Sequence, residues 1–102
     1  MRVLVTTISL VAITYDPKKN ERNIRERGLS FDRADEFDLA NASIQVDDRK
    51  DYGETRLVAV GYLDKRLHVL GYVERGTDFH VFSFRKANKR EVKKYGKAKT
   101  ID

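Results

Sequence analysis

A chain of 102 residues, 40% hydrophobic and 36% charged, is one small domain, near the size at which roughly two-thirds of the chain's surface can be buried without staples. It has no cysteine, and its two histidines, His68 and His80, lack H-x-x-x-H spacing; disulfides and thiolate metal sites are excluded, and neither a metal nor a cofactor is expected. A net charge of +5 favours an anionic partner met quickly and in a salt-sensitive way, and says nothing about fold.

The first twelve residues carry one charge, Arg2, and imitate a short secretory signal. The run is too short to span a bilayer and has no small-x-small pair before a cleavage point. The β-branched stretch Thr6 to Tyr15 predicts a strand, with residues 1–10 read as an extension of the single domain. Asp16-Pro17 is a helix start, since an Asp carboxylate accepts first-turn N–H groups and proline suits the first helical position. Gly28 is its stop, so the helix runs from Pro17 to Arg27, with Ile24 as its single large apolar contact to the core. Ser30 then caps a second helix whose buried stripe is Phe31, Ala34 and Phe37.

After Asn41 the period changes to two, predicting strands at Ala42–Val46, Thr55–Tyr62, Leu67–Val73 and Thr77–Arg85. Asp64-Lys65 and Arg75-Gly76 are the expected hairpin turns, and Asp47 to Gly53 a polar loop. Asn88 as N-cap with Glu91 at N3 starts a last helix with Val92 and Tyr95 as its apolar stripe; residues 96–102 read as a frayed tail. The expectation is an α+β fold, an antiparallel meander sheet with two N-terminal helices and one C-terminal helix, condensed as β-α-α-β-β-β-α.

Charge is unevenly distributed. Arg85 to Lys99 contains eight Lys and Arg against Glu91 alone, whereas residues 30–54 hold eight Asp and Glu against Arg33, Arg49 and Lys50. The basic end suits nucleic acid and the acidic stretch a basic partner, although charge runs are also ordinary solvated helix faces.

Several spaced motifs add to this: Tyr15-Asp16-Pro17-Lys18-Lys19, Asn23, Gly28-Leu29-Ser30-Phe31, Asp51-Tyr52-Gly53-Glu54-x-Arg56, Arg75-Gly76 and Ser83-x-Arg85-Lys86-Ala87. Over residues 11 to 95 the chain resembles the bacterial BrnT toxin family, with the S-x-R-[KR]-A-[NT]-x-x-E segment the most specific part. The resemblance implies a RelE-like fold, a translation-blocking ribonuclease activity, and neutralisation by a BrnA-type ribbon-helix-helix antitoxin, in a complex of two toxins and two antitoxins. Where many members carry K-H-G, this chain has Glu26-Arg27-Gly28, so the role of that histidine does not carry over.

RNA cleaves itself when a 2′-OH attacks the neighbouring phosphorus. A protein then has to position the backbone, take one proton, stabilise the added charge and protonate the leaving 5′ oxygen. Arginine's planar fork suits the phosphate and histidine suits proton transfer near neutrality. The catalytic candidates are therefore Arg85, Arg75, His68 and His80, with Arg56, Lys86, Lys89, Arg90 and Tyr72 as RNA contacts. Two-residue turns at both hairpins predict that Gly61 and Ser83 flank His68, that Arg85 lies a diagonal step away, and that His80 points to the other face. Arg85 and Lys86 also fit the start of a solvated basic segment, the histidines fit half-buried strand positions, and Tyr72 fits the core. The expected protein is a cytoplasmic endoribonuclease toxin with no membrane contact. A non-catalytic RNA- or ribosome-binding module and a secreted basic protein are the rival readings.

Overall fold

The computed structural model describes residues 12–49 and 51–96. The readings of residues 1–10 as an extension, of the signal-like run and strand up to Val11, and of the tail beyond Gly96 lie outside the described residues. In chain order the elements are β1 (Ile13–Tyr15), α1 (Pro17–Arg27), two 3-10 turns (Phe31–Glu36 and Leu39–Asn41), β2 (Ser43–Asp47), β3 (Arg56–Leu63), β4 (Arg66–Arg75) and β5 (Asp78–Lys86). A helical turn, Lys89–Glu91, then runs into π-helix over Val92–Gly96; together these form α2. The order thus places four strands between the second helical segment and α2, one more than in the condensed string.

The sheet order is β1-β5-β4-β3-β2. From β2 to β5 it is the expected antiparallel meander, but β1 lies parallel to β5, so the whole sheet is mixed. Parallel strands need a long crossover connection, and α1 with the meander supplies it between β1 and β5.

The local signals act as their chemistry dictates. Asp16 accepts the Lys18 N–H at 2.9 Å, Gly28 caps α1 at φ +66°, and Asn88 and Glu91 bond each other's backbone N–H at 2.8 and 2.9 Å. The second helix forms as 3-10 rather than α. Its apolar residues recur every three positions, the period at which 3-10 side chains eclipse, so Phe31, Ala34 and Phe37 all turn inward.

The core lies mainly on one face of the sheet, where α1 and the 3-10 turns cover Ala59, Leu63, Leu70, Tyr72, Val81 and Phe84. A smaller cluster, Val60, Leu67, Val69 and Ala87, lies on the other face under Tyr95 of α2. The expected anchor of α1, Ile24, is 45% exposed. The helix instead buries Asn20 and Asn23. Asn23 Nδ2 donates to the carbonyls of Leu29 and Phe84, both at 2.9 Å, and Asn20 Oδ1 accepts the Phe31 N–H at 2.7 Å. Two amides therefore join α1 to the sheet and to the following turn by satisfying backbone groups that burial would otherwise leave unpaired.

Strand register follows expectation in one hairpin and departs from it in the next. Asp64 and Lys65 both have positive φ, as a type I′ turn requires, and Leu63 faces Arg66, so Gly61 pairs with His68. In the second hairpin the turn is Gly76-Thr77, with Arg75 opposite Asp78, and a bulge follows at Gly71/Tyr72. The ring of Phe82 lies where a Cβ on Gly71 would be, 2.7 Å away, so Gly71 is what lets the extra residue fit. Ser83 consequently faces Gly71, while His68 faces Lys86. Arg85 shifts to the face opposite His68, and the expected diagonal neighbours are separated by the sheet.

Candidate functional site

His68 and Lys86 are direct cross-strand neighbours where β4 begins and β5 ends. Cross-strand partners point to the same side, here the face covered by α1. His68 is 4% exposed and its ring packs against Phe84 at 5.7 Å. Its Nδ1 lies 2.7 Å from the Arg66 carbonyl oxygen. A carbonyl only accepts, so Nδ1 carries the proton, and in the neutral ring Nε2 is the basic nitrogen. Burial holds the ring's pKa below the ordinary 6.5, with the Arg66 carbonyl opposing that shift and the cations Arg66, Lys86 and Arg33 adding to it. The imidazole is neutral near pH 7.

Around this pair lies a cavity of about 620 Å³, lined by Arg27, Arg33, Arg66, His68, Arg85 and Lys86, with Asp64 as its acid. Its wall comes from the end of α1 and the loop beyond, because the Gly28 cap turns the chain back across the sheet. Arg27 is held in place by donating from Nη1 to Asn23 Oδ1 at 2.7 Å, and Arg66 by donating to the Ala87 carbonyl at 3.0 Å. Arg33 binds Glu36 at 3.0 Å and Asp64 at 2.5 Å, and these two carboxylates raise its pKa further. Among the described residues, Arg27, Arg66 and Lys86 form no salt bridge, which leaves their charge to an incoming anion.

Arg85 borders the same cavity, but its guanidinium makes a two-pronged pair with Glu91, both contacts at 2.9 Å. The pair raises the Arg85 pKa and lowers that of Glu91. Lys89 and Arg90 are exposed on α2, beside Lys86 in sequence.

The remaining candidates gather at the other end of the sheet. Arg75 closes on Glu54 at 3.0 Å, and the Thr14 hydroxyl lies 2.8 Å from His80 Nδ1. Burial is the main cause of a lowered His80 pKa, with Arg75 adding to it. Arg56 is sandwiched between the rings of Tyr52 and Phe82, 4.0 and 4.4 Å from their centroids, with Nε buried and unbonded. From Arg75 to Val69, the residue facing Arg85, is six positions along β4, roughly 20 Å at about 3.4 Å per residue. Arg75 and Arg85 therefore cannot grip one phosphate together. Tyr72 is 2% exposed and stacks on Phe79 at 5.0 Å, so it is a core residue and offers no platform to a base.

The fold and the sequence match one known group. The family model described as "Ribonuclease toxin, BrnT, of type II toxin-antitoxin system" matches residues 15–91. The chain belongs to the BrnT family. The crystal structure of the Brucella abortus ribonuclease toxin BrnT superposes with a TM-score of 0.62 at 22% identity, covering 78% of this chain and 99% of that one, which shows a shared fold. No curated protein matches the chain at a significant level. A type II system pairs its toxin with a protein antitoxin, so BrnT membership implies a protein partner. Among the described residues no helix is long and apolar enough to cross a membrane.

The BrnT motifs are largely structural joints. Asn23 and the Gly28–Phe31 segment tie α1 to the core, and Glu91 binds both Arg85 and Asn88 at the entry to α2. Arg27, Arg33 and Arg66 were not among the sequence candidates. Arg27 occupies the K-H-G position of the BrnT motif, which was the available signal; nothing in the local pattern distinguishes Arg33 and Arg66 from other surface arginines.

Proposed function

We propose that this BrnT family member is a RelE-like endoribonuclease toxin that cleaves RNA in the cationic cavity around His68 and thereby blocks translation in the cytoplasm. The observation that carries the reading is the neutral His68 opposite Lys86 at the floor of a cavity walled by Arg27, Arg33 and Arg66. Nε2 of His68 takes the proton of the 2′-OH as the O2′–P bond forms. Arg27 and Arg66, which no carboxylate engages among the described residues, hold the phosphate while charge builds on it. The P–O5′ bond then breaks, and the leaving oxygen is protonated by Lys86 or by water. The nucleophile is the RNA's own hydroxyl, so no step calls for a metal, and the 5′ fragment ends in a 2′,3′-cyclic phosphate.

Lys89 and Arg90 extend the positive surface along which the RNA backbone lies. Arg75, His80 and Arg56 act away from the scissile bond, as a separate contact with the RNA chain. The partner is a BrnA-like ribbon-helix-helix antitoxin in a two-plus-two complex that covers the basic cavity. One observation favours occupancy without cleavage as a second reading: both Arg75 and Arg85 are engaged by carboxylates. Incubating the pure chain with defined RNA in EDTA and mapping the ends separates the two. Cyclic phosphate ends support cleavage; intact RNA bound to the protein supports occupancy, and 5′-phosphate products refute the chemistry.

A further inference from the structure

The two edges of the sheet are built differently. β1 is only three residues long, whereas β2 presents five residues, Ser43-Ile44-Gln45-Val46-Asp47, with no other described strand on its outer side. Natural edges are commonly blunted by lysine, proline, a bulge or a cover. β2 contains no lysine or proline, pairs with β3 without a register shift, and leaves Ile44 44% and Val46 58% exposed. Ile44 and Val46 share the face of Ala59 and Leu57, their partners in β3.

We infer that β2 is a self-pairing edge, through which two copies of this chain join antiparallel to form one continuous sheet. The occupant is identified by the symmetry of the strand. A two-fold axis through Gln45 places Ile44 of one copy opposite Val46 of the other on one face, and Ser43 opposite Asp47 on the other face. Moving the axis to Val46 sets Ile44 against Asp48, and moving it to Ile44 sets Val46 against Ala42, so one register alone forms both aliphatic pairs. A five-residue edge buries little area, and each copy carries +5, so the dimer is weak and strengthens with salt.

The absence of native cysteine makes the register directly measurable. The two-fold puts the Gln45 Cα atoms of the two copies about 4.5–5.5 Å apart, within disulfide range, but separates the two Ser43 positions by roughly 14 Å. Under mild oxidation the full chain carrying Gln45→Cys should become a covalent dimer at least tenfold faster than Ser43→Cys. Sedimentation of the unmodified chain should show a concentration-dependent dimer that Ile44→Lys, a change at an exposed site, weakens at least tenfold. Equal cross-linking at 43 and 45 overturns the register. A chain that stays monomeric at high concentration and salt overturns the self-pairing, as does protection of the β2 amides from hydrogen exchange only when antitoxin is added.

Discussion

Arg85 and Glu91 lock the end of β5 to the start of α2: Nη1 and Nη2 of Arg85 donate to the carboxylate at 2.9 Å, and the same Glu91 Oε1 accepts the Asn88 N–H at 2.9 Å. One carboxylate thus completes an ion pair and a helix cap. Glu91→Ala should lower stability by about 1–2 kcal/mol through the lost cap and the unpaired guanidinium. Arg85→Lys should be destabilising as well, because lysine lacks the fork, while Lys86→Arg stays within about 0.5 kcal/mol. A double-mutant cycle on Arg85 and Glu91, followed by denaturant unfolding, should give a coupling of about 0.5–1 kcal/mol.

The same pair sets an acid limit. Arg85's hydrogen bonds hold the Glu91 carboxyl below its ordinary 4.5. A lowered carboxylate pKa contributes stability that is fully present above 4.5 and is lost as pH falls through the depressed value. Asp47, brought down to about 2 by Arg49, adds to the loss at still lower pH. His68 has the opposite charge type but the same sign: its pKa is below 6.5 when folded, the unfolded chain binds the extra proton, and stability falls as pH drops below 6.5. His80, also held below 6.5, adds to this limb with the same sign. Melting temperature measured against pH should therefore show the 6.5 limb shrink in His68→Gln and vanish only when His80→Gln is added, and the lower limb shrink in Glu91→Gln.

Asn23 joins three segments with one buried amide, donating to Leu29 and Phe84 and accepting from Arg27. Asn23→Ala strands two buried carbonyls and should cost about 2–3 kcal/mol, which lowers the melting temperature by roughly 10 °C or more in a domain of this size. Asn23→Asp loses both donors and should be no better.

Gly61 pairs with His68 directly beneath the second 3-10 turn. A Cβ there would stand 2.9 Å from the Phe37 ring, 3.0 Å from the Ala42 Cβ and 3.2 Å from the Asp38 carbonyl oxygen. Backbone cannot move aside as a flexible side chain can, so Gly61→Ala should destabilise by about 1–3 kcal/mol, measured by denaturant unfolding.

Binding should follow the cavity rather than overall charge. Arg27→Gln and Arg66→Gln should each weaken binding of single-stranded RNA and reduce the dependence of log K on log salt by about 0.7 per lost phosphate contact. A slope unchanged in both variants would place the RNA elsewhere.

Much of the fold was readable because local chemistry fixes it: Asp16-Pro17, Gly28, Ser30, Asn88 with Glu91, and the Asp64-Lys65 turn all act where they stand. The site was less readable because it depends on parity across β5. One inserted residue opposite Gly71 moved Arg85 away from His68 and brought Lys86 in. An isolated glycine inside a strand was the signal for that bulge, and its consequence, at Arg85 and Lys86, lies fourteen and fifteen positions away from it in sequence, too far for periodicity to carry. Arg27, Arg33 and Arg66 come from three separate elements, and only the closed fold brings them together.

The most direct test compares RNA end formation by the unmodified chain, His68→Gln and Arg75→Gln, each at matched folding, in EDTA. The cavity account predicts cyclic phosphate ends from the unmodified chain and from Arg75→Gln within a few-fold of each other. It predicts a loss of about 10²–10⁴-fold in His68→Gln, the usual worth of a positioned general base. Cleavage retained in His68→Gln, or abolished in Arg75→Gln while His68→Gln still cuts, would contradict the placement of the active site at the Arg27 end of the sheet.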